Sequence, residues 1–440
     1  MKSLYLNTRF YLALLLLMVS FVIGFFIPIF YVISLLIFVV ILVILAVEIF
    51  LLYQQKTGIL AERKVPERLS NGDENEVVLQ LENSYPFQIQ LKIIDELPFQ
   101  FQKRDFEIST KLLNKEKKNL RYYLRPNSRG IYEFGALNLF VTTKIGFISK
   151  RIKKEANQTV AVYPSFLNLR TYELIASKTA LLLHGTKRTR KIGQSSEFEQ
   201  IKEYVLGDDL RHVNWKATAK RQHLMVNHYQ EERAQNIYLL IDKGRAMKMP
   251  FDGMSLLDYA INSALMLANI ALKKQDKAGL LTFEKKTDTF IKSDNKPLQL
   301  RRIMETLYQL ETSFKESDYQ YLLTDSLMKI QKRSLLVLFT NFETLDALKR
   351  QLPYLRVLSK KHVLLVIIFE NTLLKEVYHR KTKTTKALYT KTIANKFLHE
   401  KQLIVQELQM HGIKTVYTQP ANLSVNLLNK YLEIKHLEII

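Results

Sequence analysis

The amino-acid sequence predicts a mixed α/β chain in three parts: an N-terminal two-helix transmembrane hairpin, a small β-sandwich-like domain and a C-terminal doubly wound α/β domain. Three observations carry that prediction. They are a long uncharged apolar run near the N-terminus, a period-two stretch after it, and a series of short apolar strands separated by helix-length segments from Asn236 onward. With 440 residues, 47% of them hydrophobic, the chain has the material for more than one packed core.

No charged side chain occurs between Phe10 and Val47, and a single helix of that length would measure roughly 55 Å against a hydrocarbon core of about 30 Å. Two spans fit, at about 10–27 and 30–51, with Gly24 and Pro28 of "GFFIPIF" supplying the turn. Lys2 and Arg9 precede the run and Lys56, Arg63, Lys64 and Arg68 follow it. The positive-inside rule then puts both ends, and the soluble remainder, in the cytoplasm. A cleaved signal peptide is the competing reading, but the run is too long and no small-residue cleavage site follows its first half.

Between about 56 and 170 the period is two. "EVVLQLEN" (76–83) and "FQIQLKII" (87–94) alternate apolar and polar residues as half-buried antiparallel strands do, with a turn at "NSYP" between them. "NLRYYLRP" (119–126), "GIYEFGALNLFV" (130–141) and "TVAVYP" (159–164) continue the alternation, which predicts a β-sandwich with no chemical site of its own. A linker and a motif-rich segment occupy about 171–235.

From 236 to 440 the strands become continuously apolar: "NIYLLID", "AGLLTFE", "LLVLFTN", "HVLLVIIFE" and "IKTVYT", as strands buried on both faces of a parallel sheet are. Helices are expected at about 255–273, 297–310, 319–330, 344–351 and 388–411. Ligands in such sheets sit at the carboxyl ends of the strands, where Asp242 follows the first one.

Lys and Arg outnumber Asp and Glu by 65 to 42, a formal charge of +23 that attracts anionic lipid, nucleic acid or acidic partners. The absence of cysteine excludes disulfides, thiolate catalysis and Cys-ligated zinc. No Gly-rich phosphate loop, H-E-x-x-H or G-x-S-x-G occurs. "HGTKRTRKIG" (184–193) reads as a solvated basic linker, and the basic run at 379–396 matches no nucleic-acid motif and suits a membrane surface or an acidic partner better. The densest cluster is "EYVLGDDLRHVNWKATAK" (203–220). Asp208, Asp209 and His212 offer a general-base pair or the start of a metal site for a hydrolase, yet no further ligand follows at metal spacing. The structural reading is a turn in which an aspartate caps the following segment, Arg211 and Lys216 pair with the carboxylates, and Trp215 anchors the segment with its ring buried.

The block from Gly193 to Asp242 closely resembles the signature of the bacterial membrane proteins called domain of unknown function 58, through Glu197, Phe198, Tyr204, Gly207, Asp208, Arg211, Trp215, Ala219, Lys220 and Glu232. The resemblance implies a von Willebrand factor A-like C-terminal domain, a place in the bacterial inner membrane, no established enzymatic activity, and work beside a MoxR-type AAA+ ATPase in chaperone-like or envelope assembly. It also implies a metal-ion-dependent adhesion site, in which hydroxyl and carboxylate oxygens hold Mg²⁺. Here the sequence departs from the family: Asp242 keeps the first carboxylate, Gly244 and Ala246 stand at the serine positions, and Thr340 and Asn341 at the later pair. Lys243 and Arg245 add repulsion to a divalent ion, so a degenerate site without metal or other cofactor is expected, with one of these cations paired to Asp242 instead. The expectation is therefore a membrane-anchored, non-enzymatic adaptor docking through the signature residues. A hydrolase or a cationic binder of lipid or nucleic acid is the alternative.

Overall fold

The computed structural model describes residues 3–55, 58–165, 174, 197–205, 208, 210–230, 234–312, 314–380 and 384–437. The basic run at 184–193, Gly207 and Asp209 lie outside them. The chain divides into two compact units, Met1–Tyr163 and Pro164–Ile440.

The first unit opens with a short strand, β1 (Leu4–Leu6), and two helices long and apolar enough to cross a membrane, α1 (Thr8–Phe26) and α2 (Pro28–Tyr53). The turn is tighter than predicted. Helix α1 runs on through Gly24, and only Ile27, in extended conformation, separates it from α2, which has Pro28 in its first turn. Gly24 serves helix contact instead of the turn, because a Cβ there would stand 2.8 Å from the Tyr31 nitrogen. Nearby, the Ser20 and Ser34 hydroxyls share a 2.6 Å hydrogen bond.

Ten strands follow: β2 (Ile59–Lys64), β3 (Arg68–Ser70), β4 (Asn75–Asn83), β5 (Ile89–Asp95), β6 (Glu107–Leu112), β7 (Lys117–Leu124), β8 (Gly130–Phe134), β9 (Leu137–Thr142), β10 (Ile148–Lys154) and β11 (Gln158–Tyr163). They form sheets of order β1-β10-β9-β5-β6, β2-β4-β7 and β3-β11-β8. Their inward residues, among them Leu79, Leu91, Phe134, Val141 and Val160, build one core. The "NSYP" turn makes no hairpin: β4 pairs with β2 and β7, while β5 pairs with β6 and β9. Asn83 directs the crossover, its Nδ2 donating to Phe87 O (3.0 Å) and Leu113 O (2.7 Å) and its Oδ1 accepting from the Tyr85 N–H (3.0 Å). Likewise "GIYEFGALNLFV" breaks at Gly135 into strands of two sheets, where a Cβ would meet Glu96 Oε2 at 2.7 Å.

The helices are bonded to these strands. Buried Glu48 of α2 accepts from the Thr143 hydroxyl and from the N–H groups of Gly146 and Phe147 (both 3.1 Å). Arg9 Nη1 donates to Ile145 O at 3.0 Å, and Lys150 Nζ to Leu52 O at 2.8 Å. The C-terminal end of α2 and the start of α1 thus grip the β9–β10 loop from both sides.

In the second unit, β12 (Glu197–Glu203) pairs antiparallel with β13 (Met225–Gln230), with the seven-residue helix α3 (Trp215–Arg221) between them. Next come β14 (Asn236–Asp242), the small hairpin β15 (Pro250–Phe251) and β16 (Met254–Ser255), α4 (Leu256–Lys273), β17 (Lys277–Phe283), β18 (Thr287–Asp294), α5 (Gln299–Tyr308) and α6 (Tyr319–Lys329). β19 (Leu335–Phe339), α7 (Leu345–Lys361), β20 (Val363–Phe369), α8 (Thr372–His379), α9 (Thr385–Met410), β21 (Lys414–Thr418) and α10 (Leu423–His436) complete it. The sheet order is β18-β17-β14-β19-β20-β21, parallel throughout except for β18, an antiparallel edge strand that apolar runs do not announce. One core packs α4, α5 and α10 on the sheet and a second packs α6, α7 and α9, so helices cover both faces. Helix α7 outruns its predicted end at 351, passing through Pro353, because Leu348, Leu352, Leu355 and Leu358 keep one buried stripe.

Candidate functional site

Strand order reverses at β14: the chain leaves it for β17 on one side and returns to β19 on the other. The crevice at such a reversal is where open α/β sheets place ligands, and Asp242 and Thr340 flank it at the ends of β14 and β19. Asp242 is 3% exposed. Its Oδ1 accepts from the Gly244 N–H at 2.8 Å and from the Ser317 hydroxyl. Its Oδ2 accepts from Thr340 Oγ1 at 2.7 Å and from Tyr319 OH at 3.3 Å. Tyr319 and Thr340 are themselves 2.6 Å apart.

Local sequence explains how these donors arrive. Asp318 caps α6 by accepting from the N–H groups of Gln320 (2.9 Å) and Tyr321 (3.1 Å). The residues on either side of that cap, Ser317 and Tyr319, both reach the carboxylate. Burial pushes the Asp242 carboxyl above its ordinary range, and the four donors offset this only in part. Burial and the neighbouring carboxylate raise the Tyr319 phenol well above its usual value. Among the described residues every hydrogen-bond partner of Asp242 is neutral. The expected pairing with Lys243 or Arg245 is corrected: among the described residues neither side chain bonds Asp242, and Lys243 pairs with Asp288 of β18.

A cation does reach the other expected position. Lys401 of α9 donates to Asn341 Oδ1 at 2.6 Å and to Phe342 O, while its side chain is buried in the sheet's carboxyl-end crevice. Burial pulls this ammonium down to about 8. Ala246 lies in the short turn Arg245–Lys248 and carries no oxygen on its side chain. Sequence reading missed Ser317, Tyr319 and Lys401. The Asp318 cap was a readable signal for the first two; nothing local marks Lys401.

The signature segment stands elsewhere in this unit. Asp208 accepts from Lys202 Nζ (2.9 Å) and from the Val205 N–H (3.0 Å), so it braces the turn after β12. The Tyr204 N–H donates to Leu224 O at 2.8 Å, and Asn214 caps α3 by accepting from the Ala217 N–H at 3.0 Å. Arg211 and Lys220 are exposed and His212 is half-buried. Glu197 and Phe198 are placed in β12 by their backbone alone. Trp215 corrects the expectation of a buried anchor: it is 73% exposed. It opens α3, which is held to β13 through the Met225 N–H to Thr218 Oγ1 bond (2.9 Å), and Val205 (62%) and Leu210 (65%) of the same segment are exposed as well. No group of three or more His, Asp or Glu side chains suited to a metal ion occurs among the described residues.

Fold and site together define a mixed α/β protein with two apolar N-terminal helices and a sheet whose central strand ends in a buried, fully bonded carboxylate. Residues 200–374 match the family described as protein of unknown function DUF58. The uncharacterized protein YeaD of Bacillus subtilis (strain 168) is 24% identical over 176 residues, 40% of this chain and 42% of that relative. The chain thus spans less than half the length of the curated relative it matches. Among solved structures, the CARDB domain of PF1109 from Pyrococcus furiosus is 16% identical and covers 24% of this chain and 94% of its own, at a TM-score of 0.17. PapD-like domain 7 of human CEP192 is 12% identical, covers 24% and 84%, and has a TM-score of 0.15. Likenesses of this size assign neither fold nor function.

Proposed function

We propose that this protein is a membrane-anchored, non-enzymatic adaptor whose C-terminal unit, a von Willebrand factor A-like domain, docks a protein partner of the MoxR-type AAA+ ATPase class from the cytoplasmic side of the bacterial inner membrane. The observation that carries the reading is that Val205, Leu210 and Trp215 of the signature segment are all exposed, interspersed along the chain with exposed Arg211, Lys216 and Lys220. A solvent-facing tryptophan in a segment rich in exposed cations has the composition of an interface hot spot. Saturation of Asp242 by four protein donors supports docking without a metal ion, since a hard cation needs those oxygens. The supports for the membrane are the two apolar helices and the cationic residues at their ends.

The test is affinity capture of the full chain from solubilised membranes, with Mg²⁺ and ATP or without them. An AAA+ ATPase recovered with wild type and Asp242→Asn but not with Trp215→Ala is the expected outcome. Recovery that ignores Trp215, or that needs metal on this chain, would overturn the reading.

A further inference from the structure

Beside the Asp242 crevice, and independent of the signature surface, lies a cavity of about 210 Å³ walled by Met249, Phe251, Leu374 and Phe397, with Asn341 and Lys401 supplying polar atoms. Its size is below the roughly 300–1,000 Å³ of sites for drug-sized ligands and suits one hydrophobic residue. Lys401 is 8% exposed, and both acceptors it meets, Asn341 Oδ1 and Phe342 O, are neutral. An ammonium has three donors, so one is left over. Two carboxylates also line the cavity: Glu370 pairs with Lys375 at 2.9 Å, and Glu343 is exposed. Neither forms an ion pair with Lys401 within 4.0 Å. Glu343 attracts the ammonium from a distance but does not bond it; a buried cation with only such a distant counter-charge is costly, and an entering carboxylate would complete its coordination.

We infer that this cavity binds a carboxylate carried on a compact apolar body, the anion meeting Lys401 and the body resting against Phe251, Leu374 and Phe397. Such a group is found on free short-chain monocarboxylates and on a polypeptide's C-terminal hydrophobic residue. The ion pair supplies orientation and the apolar walls supply most of the contact area.

Calorimetric titration of the full chain in lipid nanodiscs, with empty-disc subtraction, tests this using hexanoate, hexanol, a short peptide ending in leucine and the C-terminal amide of that peptide. At least one acid should bind about tenfold or more tightly than its neutral counterpart, as a charge-assisted bond implies. Which acid binds tells the two sources apart. Lys401→Met should abolish the preference, and Leu374→Trp, which fills the cavity without touching the ammonium, should abolish binding. Absence of binding by both acids, equal binding of the neutral counterparts, or a preference that survives Lys401→Met overturns the inference. Should Lys401→Met not fold, the acid-to-neutral ratio of the wild type and the Leu374→Trp result decide it.

Discussion

The hydroxyl oxygen of Ser317 lies 2.2 Å from the point where a Cβ on Gly244 would stand. The backbone at Gly244 is ordinary extended chain, so the obstacle to a side chain there is steric. A side-chain oxygen for Asp242 therefore comes from the start of α6 and not from the loop after β14, and the two arrangements exclude each other. Gly244→Ser alone should lower stability by about 1–3 kcal/mol, the usual range for an overpacked buried site. The double variant Gly244→Ser/Ser317→Gly should recover most of it. Thermal midpoints of the three proteins check this, and a double variant no better than the single one would show that the clash is not with Ser317.

Asp242 gathers donors from three segments, so its replacements should differ. Asp242→Ala strands the Ser317 hydroxyl and the Gly244 N–H and leaves Tyr319 and Thr340 only each other, at about 3 kcal/mol or more. Asp242→Asn keeps an acceptor and should cost less. Because burial raises the folded carboxyl above its ordinary value, its stabilising contribution is complete below that ordinary value and is lost as pH rises through the folded one. The wild type should therefore lose ground to Asp242→Asn as pH rises from about 4 toward neutrality. Unfolding midpoints of both proteins across that interval measure it.

Lys401 gives the opposite slope. Its ammonium is held down to about 8 from 10.5, so the folded state binds fewer protons than the unfolded chain between those values. Wild-type stability should rise with pH across that window, by roughly 2–4 kcal/mol in total, and the rise should vanish in Lys401→Met. Parallel denaturation curves at pH 7, 9 and 10.5 would decide it; identical slopes in the two proteins would assign the titration to another group.

Glu48 bonds the C-terminal end of α2 to the β9–β10 loop through two backbone N–H groups and a hydroxyl. Glu48→Gln has the same shape but no charge, and charge-assisted bonds are about twice as strong as neutral ones. Amide exchange at Gly146 and Phe147 should accelerate by about tenfold or more, with strands elsewhere in that sheet unchanged. Uniform acceleration across the whole first unit would point to global destabilisation instead.

Trp215→Ala should leave the thermal midpoint within about 0.5 kcal/mol equivalent of wild type, as exposed substitutions do. A large loss of stability would mean that the ring is buried in solution.

The sequence by itself determined the membrane helices and most of the core strands and helices, because burial writes its period into neighbouring residues. The uncharged run of 10–47, the alternation of β4, the apolar centre of β14 and the all-apolar β19 and β20 each declare their surroundings locally. It also determined that Asp242 stands at a strand's carboxyl end with no serine at 244 or 246. Only the tertiary structure decided what meets that carboxylate. Ser317, Tyr319 and Thr340 are 75, 77 and 98 residues away in the chain, and Lys401 is 60 from Asn341. Contacts over such separations follow from strand order and crossover geometry, which side-chain periodicity does not encode. The same reason governs the misread tryptophan: an aromatic ring is apolar whether it faces core or solvent, and its exposure at Trp215 was set by how a seven-residue helix rests on β13.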